Sequence, residues 1–449
     1  MNFFPFFKKK YSEQLRTLGY NYEHGIGVKK DEKKAFKYYM KAAELGNPGA
    51  MNDISLCYSY GIGVEINYQK VFEYCKKSAD LGNADAICNI GLHYEYGEGV
   101  DQDYNKAFEY YEKSVHMGVK VAMSNVARFY RNGIGTKRDI QSANYWFTKY
   151  RSLLQTIKSP DYINPGLKKI LDDERFKLSW IDYNEFRDIR EKGKGGFSTV
   201  YCAIWFDRIN STWWDVALKV IRDSNENVQE FIQEFKNYCE IGYENPSFLN
   251  CYGVSRHYCG DYIIVMGIAP KGSLRQNLVG VSQLEWKDKL NILYCIAFDL
   301  GSIHSQELVH RNLHSGNILQ DDLHNAYITD LGLSKNVKGG KICGIIPYIA
   351  PEVLMDQQYT RASDIYSLGV IATEISTGQR AFDGIPFDED LVSSIINGSR
   401  PKCLGPDCYI KLAMKCMDKD FDKRPTAKEI IEIITRWLDE INQDDDNEI

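Results

Sequence analysis

His310-Arg311-Asn312-Leu313-His314-Ser315-Gly316-Asn317-Ile318-Leu319, followed by Ile328-Thr329-Asp330-Leu331-Gly332, is the stretch on which the reading of this 449-residue chain turns. Upstream, Gly193-Lys194-Gly195-Gly196-Phe197-Ser198-Thr199-Val200 lies between apolar alternating runs at 186–189 and 200–205. That pattern predicts a glycine-rich hairpin whose bare backbone can close over phosphate oxygens. Val216-Ala217-Leu218-Lys219 reads as a strand ending on one lysine, a candidate phosphate clamp. Downstream stand Ala350-Pro351-Glu352, Ser363-Asp364 through Gly369, and Arg424-Pro425. Each motif alone is weak. Their order and intervals carry the inference.

The series resembles the protein-kinase family across residues 183–440. Gly272-Ser273-Leu274-Arg275 and His314-Ser315-Gly316 are similar to the tyrosine-kinase-like serine/threonine branch. The resemblance implies a bilobal α+β kinase fold that binds ATP and Mg2+. It implies that Gly193, Gly195 and the backbone near Ser198 cover the phosphates, with Val200 and Ala217 walling the adenine. Lys219 would contact the α- and β-phosphates and pair with a glutamate on the following helix. Glu234 is the expected partner, with Glu230, one turn earlier, as the alternative. Met266 falls at the gatekeeper position, and residues 267–269, ending on Ala269, at the hinge. Asn317 and Asp330 would hold Mg2+ through oxygen ligands. Glu352 with Arg424, and Asp364 near the catalytic loop, read as structural.

Asn312 stands where the family has the aspartate that accepts the substrate hydroxyl's proton. An amide can hydrogen-bond a hydroxyl, but it is no carboxylate base. General-base contributions are typically about 100- to 10,000-fold. The expectation is therefore an ATP-binding, pseudokinase-like protein with phosphotransfer weak or lost. Two alternatives remain: an active serine/threonine kinase recruited to protein substrates by the rest of the chain, or an adaptor whose kinase fold is only a platform. Residues 336–347 contain no serine, threonine or tyrosine, so activation by phosphorylating that stretch is not expected.

The first third is periodic. Gly25-Ile26-Gly27-Val28 recurs as Gly61-Ile62-Gly63-Val64, Gly97-Glu98-Gly99-Val100 and Gly133-Ile134-Gly135-Thr136, 36 residues apart each time. Phe36, Phe72 and Phe108 keep the same step, as do Lys41, Lys77, Lys113 and Lys149. Ala35, Phe36, Tyr38, Tyr39, Ala42 and Ala43 give one apolar helix face per unit, and the glycine pair ends one helix and redirects the chain. No unit can bury its face alone, so neighbours stack into a helical solenoid. Over residues 12–150 this pattern resembles the Sel-1-like repeat, a relative of the tetratricopeptide repeat. The resemblance implies four repeats within residues 1–150 and a scaffold for protein partners.

Between the two parts, residues 151–182 carry Ser159-Pro160 and Asn164-Pro165-Gly166, read as a linker with one capping helix. Residues 441–449 read as an acidic, solvated tail. A net charge of −6 argues against nucleic acid as the main partner. No run approaches the ~18 apolar residues of a membrane span. Twelve cysteines without a C-x-x-C pair predict reduced thiols and a cytoplasmic location, with the nucleus also open.

Overall fold

The computed structural model describes residues 3–153, 156, 158–194, 198–207, 212–245, 248–321, 323–331, 345–355 and 358–447. It divides into two units, Met1–Leu153 and Leu154–Ile449. The first contains eight described helices: α1 Phe3–His24, α2 Glu32–Glu44, α3 Pro48–Tyr60, α4 Tyr68–Asp80, α5 Ala84–Tyr96, α6 Tyr104–His116, α7 Lys120–Asn132 and α8 Ile140–Leu153. Asp31, Asn67 and Asp103 cap α2, α4 and α6 by accepting the backbone N–H three residues on. Alanines at the helix contacts let the partners approach, and Tyr39 and Tyr111 fill the grooves. Each of these tyrosines donates its hydroxyl to a glutamate, Tyr39 to Glu23 at 2.7 Å and Tyr111 to Glu95 at 2.6 Å.

The two glycines of each loop do different work. Gly61, Gly97 and Gly133 end α3, α5 and α7 in the left-handed region, at φ 70°, 68° and 65°. In the three later loops the second glycine, itself left-handed, also makes a close approach. A Cβ on Gly63 would stand 2.2 Å from the Glu32 carbonyl oxygen, and one on Gly135 2.2 Å from that of Tyr104. Each such loop therefore rests on the first turn of a helix one repeat earlier. At Gly27 (φ +68°) a Cβ would meet nothing within 4 Å. Gly27→Ala is accordingly expected to cost roughly 1–2 kcal/mol, the left-handed penalty alone. Gly63→Ala should cost more, because backbone must move. Denaturant midpoints of the two variants check this; equal losses would contradict it.

In the second unit α9 (Pro165–Leu171) precedes a six-stranded sheet. Its strands are β1 Ser179–Trp180, β2 Phe186–Lys194, β3 Ser198–Asp207, β4 Thr212–Ile221, β5 Cys251–Arg256 and β6 Tyr262–Gly267, in the order β1-β5-β6-β4-β3-β2. Helix α10, Val228–Glu244, links β4 to β5. A helical lobe follows, with α11 Leu274–Ser282, α12 Trp286–Ser305 and the almost wholly buried helix Arg361–Thr377. Within it β7 Gly272–Ser273, β8 Ile318–Gln320 and β9 Tyr327–Ile328 form a small antiparallel sheet. The last helix runs Ala427–Asn447, so the backbone of the acidic run at 444–446 continues it. The segment read as a linker carries α9 and β1, and both belong to the second unit.

Strand alternation positions the site. On β4, Val216, Leu218 and Val220 pack into one core with Ile181, Phe186 and Trp205, whereas Ile221 packs into the other with Phe231 and Phe235 of α10. Ala217 and Lys219 share the face of Ile221.

Candidate nucleotide and catalytic site

Lys219 is opposite Val200 on β3 and Ile264 on β6, and Ala217 is opposite Cys202 and Met266. Directly paired residues point to the same side of a sheet, so Val200, Ala217, Lys219 and Met266 share one face. Gly193 pairs with Val200, and Ser198 begins β3 opposite Ile221. Gly195 lies outside the described residues, as does most of the 336–347 stretch. Ala269, nearly buried, follows β6 and accepts the Gly272 N–H at 3.0 Å.

Lys219 Nζ reaches two carboxylates, Glu234 Oε1 at 3.0 Å and Asp330 Oδ1 at 2.7 Å. Glu234, not Glu230, is therefore its partner on α10; Glu230 is exposed one turn earlier. Burial alone would pull the ammonium's pKa down, but Glu234 and Asp330 outweigh it and hold Lys219 well above its ordinary value. Burial would likewise raise the Asp330 carboxyl, yet Lys219 keeps it below the usual carboxylate range. Both groups are thus charged at neutral pH.

The loop bearing Asn312 is fixed from below. Asp364, buried, accepts the His310 N–H at 2.8 Å, the Arg311 N–H at 2.9 Å and a 3.0 Å contact from His304 Nε2. Arg311 is held at φ +67°, a conformation that requires such support. His310 Nδ1 accepts the Asn312 N–H at 3.3 Å, so Nε2 carries the proton and donates to the Thr329 carbonyl at 3.0 Å. Asn317 Nδ2 donates to the Asn312 carbonyl at 2.9 Å, which leaves the amide oxygen as its acceptor. Asp330 sits at φ +63°, and its N–H donates to the Tyr238 hydroxyl at 2.9 Å.

Tyr238 was not anticipated from sequence. It lies one turn beyond Glu234 on α10, fully buried, with Lys219 Nζ 5.6 Å from its ring centroid. The i, i+4 spacing from Glu234 was the available signal. His314, where a lysine is common in kinases, is half-buried against Tyr348, with its pKa pushed down to about 4 by burial and by Arg275. It is neutral at physiological pH and adds no cation to the site. Glu352 and Arg424 form the expected buried ion pair, with two contacts of 2.7 Å.

A sheet lobe and a helical lobe, with a clamped lysine on one and an asparagine–aspartate pair on the other, define a bilobal protein-kinase fold. The family of protein tyrosine and serine/threonine kinases matches residues 187–434, more than half the chain, and this chain belongs to it. Sel1 repeats match at 17–47, 48–83, 84–119 and 120–149. A probable serine/threonine-protein kinase of Dictyostelium discoideum is 30% identical over 275 residues, 58% of this chain and 20% of that protein. Protein kinase STUNTED of Arabidopsis thaliana is 29% identical over 329 residues, 64% of this chain and 51% of that protein. A putative serine/threonine-protein kinase/receptor of Acanthamoeba polyphaga mimivirus is 29% identical over 280 residues, 59% of this chain and 16% of that protein. The chain thus spans at most about half the length of these curated relatives.

Proposed function

We propose that this protein is an ATP-binding, kinase-fold signalling protein whose phosphotransfer is weak or lost, and whose Sel1 repeats recruit protein partners in the cytoplasm. One combination supports the reading: Lys219 is held between Glu234 and Asp330, while an amide occupies position 312. The donor set fits Mg2+, a hard cation that takes oxygen ligands, through the Asp330 carboxylate and the Asn317 amide oxygen. The shared face of Val200, Ala217 and Met266 fits an adenine ring, with Gly193 and Ser198 toward the phosphates and Ala269 at the hinge. Bound Mg·ATP would supply the transferable phosphoryl group. Lys219 would meet its phosphate oxygens as a fixed charge, and Asn312 would orient a hydroxyl without taking its proton. Among the described residues no helix is long and apolar enough to cross a membrane.

Ligand-dependent melting tests the nucleotide half of the proposal. At about 100 times its Kd, Mg·ATP should stabilise the unmodified chain by about 2.7 kcal/mol. Lys219→Met should lose that shift. Absence of a shift in the unmodified chain would remove the nucleotide-binding reading.

A second reading, an active serine/threonine kinase, is favoured by the retained Lys219, Asn317 and Asp330 and by the names of the relatives. Phosphate transfer by the unmodified chain above the Lys219→Met background would select it.

A further inference from the structure

We propose that residues 163–181 are a positioning element for Glu234: they clamp the outer face of α10 and so hold that carboxylate on Lys219. Glu234 and Tyr238, one helical turn apart, face Lys219 and Asp330. Ile232 and Tyr243 are eleven residues apart, three turns, and at 100° per residue both lie roughly opposite Glu234. The preceding segment meets α10 at both of these residues. Gly166 lies so close to Ile232 that a Cβ there would stand 3.2 Å from its Cδ1. The Phe176 ring packs edge-on against Tyr243 at 6.1 Å, with the Arg175 guanidinium over both rings. Between these points Leu167, Ile170 and Leu171 are buried in the same core as Phe231 and Phe235.

The far end of the segment is anchored as well. Strand β1 pairs parallel with β5, Ser179 with Gly253 and Trp180 with Val254, and the Ile181 N–H donates to the Val254 carbonyl at 2.9 Å. Gly253, at φ +152°, is shaped for this contact: a Cβ there would lie 1.9 Å from the Ser179 carbonyl oxygen. Glu234 needs such external support. It is buried, its Oε2 has no hydrogen-bond partner, and a carboxylate so placed gains by moving to water unless packing prevents it. The clamp supplies that packing from the face away from the charge.

The consequence for nucleotide rests on the function proposed above; the clamping of α10 does not. The test uses the full chain with Leu167→Ala and Tyr243→Ala, the latter removing a ring that is 44% exposed and so sparing the core if Leu167→Ala fails to fold. Amide hydrogen exchange across α10 should accelerate about tenfold or more, while that of helix Arg361–Thr377 stays unchanged. The Kd for Mg·ATP should rise, and in a Glu234→Gln background the same substitutions should add nothing further. Unchanged exchange in α10, acceleration spread evenly over the unit, or losses additive with Glu234→Gln would each overturn the proposal. If the unmodified chain binds no Mg·ATP, the proposed function falls while the exchange measurement still decides the clamp.

Discussion

Asn312→Asp is expected to raise phosphate transfer from Mg·ATP by about 100-fold or more, the lower part of the range for a general base. The lower part applies because phosphoryl transfer depends chiefly on positioning and on neutralising charge, and the groups that would do both are present. The substitution changes little besides the side-chain chemistry. The backbone of residue 312 is held by His310 Nδ1 on its N–H and by Asn317 Nδ2 on its carbonyl, and Asp364 fixes the two residues before it. A carboxylate therefore enters a loop already shaped to present it. His314, neutral at physiological pH, offers no cation that would neutralise the new charge. The measurement compares the unmodified chain, Asn312→Asp, and Asn312→Asp combined with Lys219→Met on a generic protein substrate. Transfer that appears with Asn312→Asp and vanishes in the double variant means an assembled site lacking its base. No gain with Asn312→Asp would mean that position 312 is not what limits transfer.

What could be read in advance follows from which interactions are local. The 36-residue period was legible because the left-handed turns and the loop-to-helix contacts fall on glycine at each recurrence. Lys219, Asn317 and Asp330 were legible as a motif series, and Lys219 and Asp330 meet in space. The choice between Glu234 and Glu230 stayed open because both sit on neighbouring turns of one helix. The burial of Phe231 and Phe235 decides it, by fixing which face of α10 turns inward. Tyr238 carries no local signal of its role, since the backbone N–H it accepts belongs to Asp330, far along the chain. The contribution of α9 and β1 was hidden for a related reason. A helix of seven residues and a strand of two are too short to show a period, and the clearest sign of β1 is Gly253 on its partner strand.

Loss of either partner of the Glu352–Arg424 pair is expected to destabilise the second unit by about 3–5 kcal/mol, the range for leaving one buried charge uncompensated. Both side chains are almost fully shielded, at 5% and 0% exposure, and the contact is bidentate. Arg424 also donates to the carbonyls of Asp418 and Ala362 and lies over the Tyr366 ring, so its removal strands more than one group. Arg424→Met should therefore cost more than Glu352→Gln, which keeps a polar acceptor facing the guanidinium. At about 2 °C per kcal/mol for a unit of this size, single-variant melting temperatures should fall by roughly 6–10 °C. The paired replacement Glu352→Leu with Arg424→Met should cost less than the two single losses added together, because neither charge is then left buried alone. Additive losses would show that the two side chains stabilise the unit independently, through their other contacts. Glu352 immediately follows Ala350 and Pro351, whereas Arg424 reaches the first turn of helix Arg361–Thr377 through the Ala362 carbonyl. Mg·ATP binding should survive in the single variants below their melting temperatures, since Lys219, Glu234 and Asp330 make no contact with this pair.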